Sequence, residues 1–396
     1  MKLSRYKLTL LFNAFPAYSP VAMFTGMFVQ PRWISLPLLL DKKLNISLNK
    51  WKLLLVGNII ICLGVPIIGI LFNRQLTLMD IAYMISSIYA LAFITVTLNN
   101  ISVFNRYLSL FVLVNFIYVI MQISLYYLRL PEYTMMHSNV PFQLATQYEI
   151  QPGIIYEFPR YTGLFIESGP FAFFLCLTFI YLMQQGVRSS NSILSIVLLL
   201  IIFSQSKFLI VFLPLLFAEK IFIRVFPRIY IILTRPIIIF FITILSMVLF
   251  FIIIFTDLEI VDYFSKTIPA FELRMEGIKY SLASLFDLEP FGKGLLPSNF
   301  EVLDSNYELA GLDAFSIVIF GYGLYMGTIM ILSLVMFPVL ASIKYKYSFI
   351  VVIILGLLSS GSLLIPQYLF AITYSVLGHY QNRANIIYAG EINGTK

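Results

Sequence analysis

The feature that most limits what this chain can fold into is its series of long, uninterrupted apolar runs. They lie at about 8–40, 52–72, 79–99, 107–128, 163–185, 191–222, 236–256, 313–340 and 347–380, each bounded by charge. A helix that crosses a bilayer needs about 20 such residues, because the hydrocarbon core is about 30 Å thick. Barrel strands alternate in polarity, and these runs do not. Soluble chains are about half apolar and about a quarter charged. This chain is 60% hydrophobic and 11% charged over 396 residues, so a water-soluble fold is excluded. Disorder, which needs low hydrophobicity and high charge, is excluded with it. The fold class expected is an all-α polytopic integral membrane protein.

Three runs exceed one span. Run 8–40 contains Pro16, Pro20, Pro31 and Pro37 and suits a hairpin. Run 191–222 is interrupted by Ser204-Gln205-Ser206-Lys207, a polar tip between two short helices. Run 347–380 carries Pro366-Gln367 near its middle. Three hairpins give about 12 transmembrane helices, with both termini cytoplasmic.

Charge supports that topology. The inner side would hold Lys2, Arg5, Lys7, Lys42, Lys43, Lys50, Lys52, Arg106, Arg188, Lys220, Arg224, Arg228, Arg235, Lys344, Lys346, Arg383 and Lys396, most of the 26 basic residues. Cytoplasmic loops of membrane proteins carry such an excess. It accounts for the net charge of +7 without a nucleic-acid partner, and no basic run is interleaved with exposed aromatics. Arg32 fits poorly, since it falls within the second arm of the first hairpin. The opening MKLSRYK resembles a signal-peptide n-region, but no small-residue cleavage site follows, so the first run reads as a retained span.

The chain therefore reads as one membrane domain, 1–396, with extracytoplasmic loops at about 129–162 and 257–312. Long loops are usually functional. The second contains the pattern Phe271, Met275, Ile278, Leu282, Leu285 and Phe286, whose spacing predicts an amphipathic helix over 270–286.

Charged residues within or beside spans are functional candidates. Arg160 and Glu167 are seven residues apart, about 10 Å of helical rise, which would put them on similar faces. The plain alternative is an interfacial Arg and a capping Glu. Lys207 stands at the polar tip, as an anion contact or as a snorkelling surface lysine. Arg274 flanks the apolar stripe of the predicted loop helix and has no acid at i±3 or i±4. Its planar fork suits a lipid phosphate, against the alternative of a plain interfacial Arg. Asp313 opens the span after that loop, as a helix cap or as a carboxylate facing the same cavity as Glu167. Two carboxylates and several cations at one membrane face suit base chemistry on a substrate with a phosphate leaving group.

No cofactor is expected. Cys62 and Cys176 lie inside apolar runs, and His137 and His379 lack neighbours at ligand spacing, so no metal site is predicted. Neither a Walker A loop nor a dinucleotide fingerprint is present.

Four segments together resemble the O-antigen polymerase (Wzy-type) and O-antigen ligase superfamily. Arg160-x-x-Gly163-x-x-x-Glu167-x-x-Pro170 is similar to its R-x-x-G-x-x-x-E-P segment, with the proline displaced. Ser204-x-Ser206-Lys207 is similar to its S-x-S-R turn, with Lys for Arg, which gives up bidentate phosphate binding. Arg274 followed by Pro290-Phe-Gly292-Lys-Gly294 resembles the family's R…P-x-G-x-G pattern. Asp313-Ala-Phe-Ser, then Gly321-Tyr-Gly323 and Gly327, resembles the stretch entering the next span. The matches run from about 160 to 328 in the expected order. Asp313 stands where ligases often carry a His, which favours a polymerase.

The resemblance implies a membrane glycosyltransferase that joins oligosaccharide repeat units carried on undecaprenyl pyrophosphate. The reaction would run at the outer face of the inner membrane, without metal. Arg160, Lys207 and Arg274 would bind the pyrophosphate, and Glu167 or Asp313 would act as base. A chain-length regulator could be a further partner. The alternatives are the related ligase and a flippase or transporter of lipid-linked oligosaccharide. Transporters tend to show repeated halves and short loops, which this chain lacks.

Overall fold

The computed structural model describes residues 5–14, 31–40, 50–71, 74, 76–128, 160–165, 168–185, 191–206, 208–242, 244–245, 291–292, 314–340, 343–359, 368–378 and 380. Among the described residues all regular structure is helical. The helices are α1 (Arg5–Ala14), α2 (Pro31–Ile34), α3 (Leu36–Leu40), α4 (Lys50–Ile70), α5 (Leu78–Leu98), α6 (Ile101–Tyr127), α7 (Ser168–Gln185), α8 (Asn191–Phe203), α9 (Phe208–Val225), α10 (Pro227–Leu233), α11 (Ala314–Leu340), α12 (Lys346–Ser359) and α13 (Tyr368–Gly378).

Three of these are long and apolar enough to cross a membrane over Trp51–Ile70, Asp80–Leu98 and Ile101–Ser124. The chain is a helical membrane protein. The surface agrees with that assignment, because Leu53, Ile60, Ile67, Leu110, Ile117, Ile210, Phe217 and Phe241 all point outward. In water such a belt would associate, whereas beside lipid tails it costs nothing. The interior is aromatic. Phe104 packs on Phe93, Tyr181, Phe370 and Tyr374, and Phe174 packs on Phe111, Phe165 and Phe370. Two buried hydroxyl contacts link helices, Thr178 with Tyr374 (3.0 Å) and Tyr181 with Asn105 (2.7 Å).

The packing partners define two ends. α4 packs along α5 and α11, α11 along α12, and α12 along α7 and α9. At one end Trp51 meets Tyr380, and Glu219 meets the start of α12. At the other end lie the α4–α5 connection, residues 160–165, the α8–α9 break and the start of α11.

The first long run behaves as two arms, with α1 packed against α2 and α3. The third run contributes α12 and α13. The second breaks where its polar residues fall. Ser204 Oγ donates to the Ile201 carbonyl at 2.6 Å, and Gln205 adopts φ 47°, which ends α8.

α11 breaks at Gly323 (φ 79°, ψ 166°), a conformation that costs little without a Cβ. The bend is sharp. In a straight helix residues 319 and 327 would be about 12 Å apart along the axis. Here a Cβ on Gly327 would stand 2.9 Å from Ile319 Cα.

The predicted amphipathic helix over 270–286 lies outside the described residues, as do all of loop 257–312 except 291–292 and all of 129–162 except 160–162.

Candidate functional site

Of the five residues singled out from the sequence, Arg160 is described, while Glu167, Lys207, Arg274 and Asp313 lie outside the described residues. Segments adjoining the first three motifs, and the start of α11 next to Asp313, are described, and they collect at one end of the bundle.

The Arg160 segment is not helical. Residues 160–165 run as irregular chain and turn, and α7 begins only at Ser168. The expectation that Arg160 and Glu167 share a helix face through two turns is therefore corrected. The cause is local. Gly163 takes φ 57°, and α6 supplies side chains that replace helical hydrogen bonds. Gln122 Oε1 accepts from the backbone N–H of Thr162 (3.3 Å) and Gly163 (3.1 Å), and its amide donates to Thr162 Oγ1 (3.1 Å). Asn115 Oδ1 accepts from the Leu164 N–H at 3.0 Å. A Cβ on Gly163 would lie 2.6 Å from that same Oδ1, so the close approach needs glycine twice over. Arg160 is half-buried, and loss of solvent lowers its pKa. An arginine still keeps its charge at neutral pH.

This segment is tied to the α8–α9 break, since the Tyr161 N–H donates to the Phe203 carbonyl at 3.3 Å. Tyr161 also sets its ring edge-on to Phe203. Two of the four motif segments are thus neighbours through their backbones.

The other two are neighbours through glycine. Gly292 (φ 69°) sits so close to α11 that a Cβ there would be 2.5 Å from the Gly323 nitrogen and 2.6 Å from the Gly321 carbonyl. The Phe291-Gly292 turn of the long loop is seated directly on the break in α11.

Sequence reasoning missed what holds that break. Arg74 is buried, and its guanidinium donates to both Asp80 oxygens, Nη1 to Oδ2 at 3.2 Å and Nη2 to Oδ1 at 2.8 Å. The same group donates to the Gly321 carbonyl from Nε (3.3 Å) and Nη2 (3.0 Å) and lies 5.4 Å from the centre of the Tyr322 ring. Asp80 also closes a capping box with Thr77 at the start of α5. The signal was present as Thr77-x-x-Asp80 ahead of an apolar run. The partner carbonyl, 247 positions from Arg74, left no local trace.

At the opposite end Glu219 is buried at the start of α12. It accepts from the Tyr347 N–H (3.0 Å), the Ser348 N–H (2.8 Å), Ser348 Oγ (2.5 Å) and the Tyr230 hydroxyl (2.6 Å). A carboxylate at a helix N-terminus meets unpaired N–H groups and the positive end of the dipole, so its role there is structural.

No group of His, Cys, Asp and Glu suited to a metal ion is found among the described residues. No family model, curated protein or solved structure matches the chain.

Proposed function

We propose that the chain is a polysaccharide polymerase of the membrane. It would join oligosaccharide repeat units carried on undecaprenyl pyrophosphate, at the outer face of a bacterial inner membrane, with about 12 spans. The observation that carries this reading is the collection of the motif segments at one end of the bundle. The Arg160 segment is bonded to the α8–α9 break, and the Phe291-Gly292 turn is seated on the Gly321–Gly323 break. A site assembled from segments so far apart in sequence suits a large substrate better than a single-helix contact would.

The chemistry follows from the substrate. An acceptor hydroxyl attacks the anomeric carbon of the donor chain. The bond from that carbon to the pyrophosphate oxygen breaks, and the lipid pyrophosphate leaves with the electron pair. Arg160, Lys207 and Arg274 oppose the charge that develops on it. Glu167 or Asp313 takes the hydroxyl proton. The leaving group is already activated, so neither nucleotide nor metal is needed for the step.

The test is surface-glycan length on a gel, in cells lacking the protein and in the same cells carrying wild type, Arg160→Ala or Arg274→Ala. The polymerase reading expects one repeat unit per anchor in the null strain, and no ladder from either variant at wild-type membrane abundance. Long polymer left on the lipid carrier would indicate a ligase. Repeat units retained inside would indicate a flippase. An intact ladder in the null strain would end the glycan reading.

A further inference from the structure

Lys220, Arg224, Arg228 and Arg235 follow one another along the chain, and no Asp or Glu falls between Glu219 and Asp257. All four basic side chains are exposed. None of them has an ion-pair or side-chain hydrogen-bond partner among the described residues. Glu219, next to Lys220, is buried and turned to the start of α12.

The backbone gives these cations a fixed place. α9 ends at Val225, Phe226 leaves helical form (φ −125°, ψ 56°), and Pro227 opens α10. The Phe226 N–H still donates to the Phe222 carbonyl (2.8 Å), and the Tyr230 N–H to the Phe226 carbonyl (3.0 Å). The ladder thus continues through the corner, and Lys220, Arg224 and Arg228 recur about once per turn. The inner side of α10 is pinned. The Tyr230 hydroxyl lies 2.6 Å from Glu219 Oε1 and 2.5 Å from the Lys344 carbonyl oxygen, and the Tyr347 hydroxyl donates to the Leu233 carbonyl at 2.8 Å. Arg228, Ile229, Ile231 and Ile232 are left exposed.

Arg224 marks the depth. On α9 the outward residues Ile210, Phe217 and Ile221 form a lipid-facing stripe, and Arg224 comes about one turn after Ile221. An exposed arginine just past an apolar stripe stands where hydrocarbon gives way to headgroups. Cations interleaved with exposed apolar residues are the composition of a helix at that boundary. Like charges one turn apart repel, so a stripe of them gains from an anion laid along it. Orienting the chain in the membrane needs only an excess of cations on one side, not a stripe at one corner.

We propose that the α9–α10 corner binds the headgroup of an anionic phospholipid, with Arg224 and Arg228 on its phosphate. The planar fork of Arg matches phosphate oxygens in pairs, and Lys220 and Arg235 add to the attraction. The exposed isoleucines suit acyl chains and have no use for a free ion, which selects a lipid. The absence of an acid along the stripe leaves a choline or ethanolamine nitrogen without a partner, which selects an anionic one. None of Arg160, Glu167, Lys207, Arg274 or Asp313 takes part, so the glycan gel and the lipid titration can fail separately.

The full-length protein, purified in a neutral detergent, is titrated with dioleoyl phosphatidylglycerol and, separately, with dioleoyl phosphatidylcholine. The second lipid has the same chains and a phosphate but no net charge. Native mass spectrometry counts the lipids retained. Saturable retention of phosphatidylglycerol is expected, at least about tenfold tighter than that of phosphatidylcholine. Each basic residue beside an anionic surface is worth roughly fivefold in binding, so Arg224→Gln with Arg228→Gln should weaken retention about 25-fold. Either single variant, expected to lose about fivefold, decides the matter if the double variant does not fold. Arg106→Gln, which removes an exposed cation from α6, should leave retention unchanged. Equal retention of the two lipids, or unchanged retention by the folded corner variants, overturns the proposal. So does an equal loss from Arg106→Gln, which would show a diffuse field rather than a site.

Discussion

Arg74 grips Asp80 through two parallel hydrogen bonds and, with the same guanidinium, takes up the Gly321 carbonyl beside the break in α11. One side chain therefore joins the start of α5 to a bend 247 positions later. Both partners of the ion pair are 1% exposed, so neither charge can fall back on water.

Arg74→Ala should be among the most damaging single changes outside the catalytic candidates. It strands a buried carboxylate, which costs about 3–5 kcal/mol. Arg74→Ala with Asp80→Asn should recover part of that loss. Thermal unfolding of the purified protein in detergent checks both, and a double variant no better than the single one would show that the pair is not coupled.

Gly292→Ala should release the loop from α11. The added methyl would meet backbone at 2.5 Å, and φ 69° is strained for alanine, together about 1–3 kcal/mol. Limited proteolysis of the long loop is the measurement, and cleavage should accelerate while α4–α6 stay protected.

Gln122→Leu should act through the Arg160 segment. It removes the acceptor of the Thr162 and Gly163 N–H groups. Buried donors left unmet cost about 1–3 kcal/mol each. Gln122→Glu, which keeps an acceptor but loses the donor to Thr162, should be milder. Stability in detergent should rank wild type, Gln122→Glu, then Gln122→Leu.

Glu219→Ala should loosen the other end, because the Tyr347 N–H, the Ser348 N–H and Ser348 Oγ lose their acceptor, while the Tyr230 hydroxyl keeps the Lys344 carbonyl. The start of α12 should then exchange its amide hydrogens faster, at Tyr347 and Ser348 first, with a stability loss on the order of 1–3 kcal/mol. Gln at this position keeps one oxygen and should fall between.

The legible part of the fold was what hydropathy and punctuation control. The break after Phe203 could be read because four polar residues interrupt an apolar run. Arg32 could be flagged because charge is expensive in a span, but not the cavity that it helps to line, whose walls come from helices far apart in sequence. The backbone around Arg160 departs from the helix that its spacing to Glu167 suggests. A seven-residue spacing says nothing of the side chains of Gln122 and Asn115 that pull the chain out of helical form. Glu219 sat inside a run already assigned to a span, and the donors that satisfy its carboxylate lie mostly 128 and 129 positions away.

The bend at Gly323 also settles a question of length. α11 has 27 residues, and laid straight it would be about 40 Å long, some 10 Å more than the hydrocarbon core is thick. Hydrophobic mismatch of that size is commonly relieved by tilting or by thinning the bilayer. Here the surplus is folded back on itself at a glycine. The arm Tyr325–Leu340 has the reach to sit in the membrane, and the arm before it is free to follow the edge of the bundle, carrying Gly321 to Arg74.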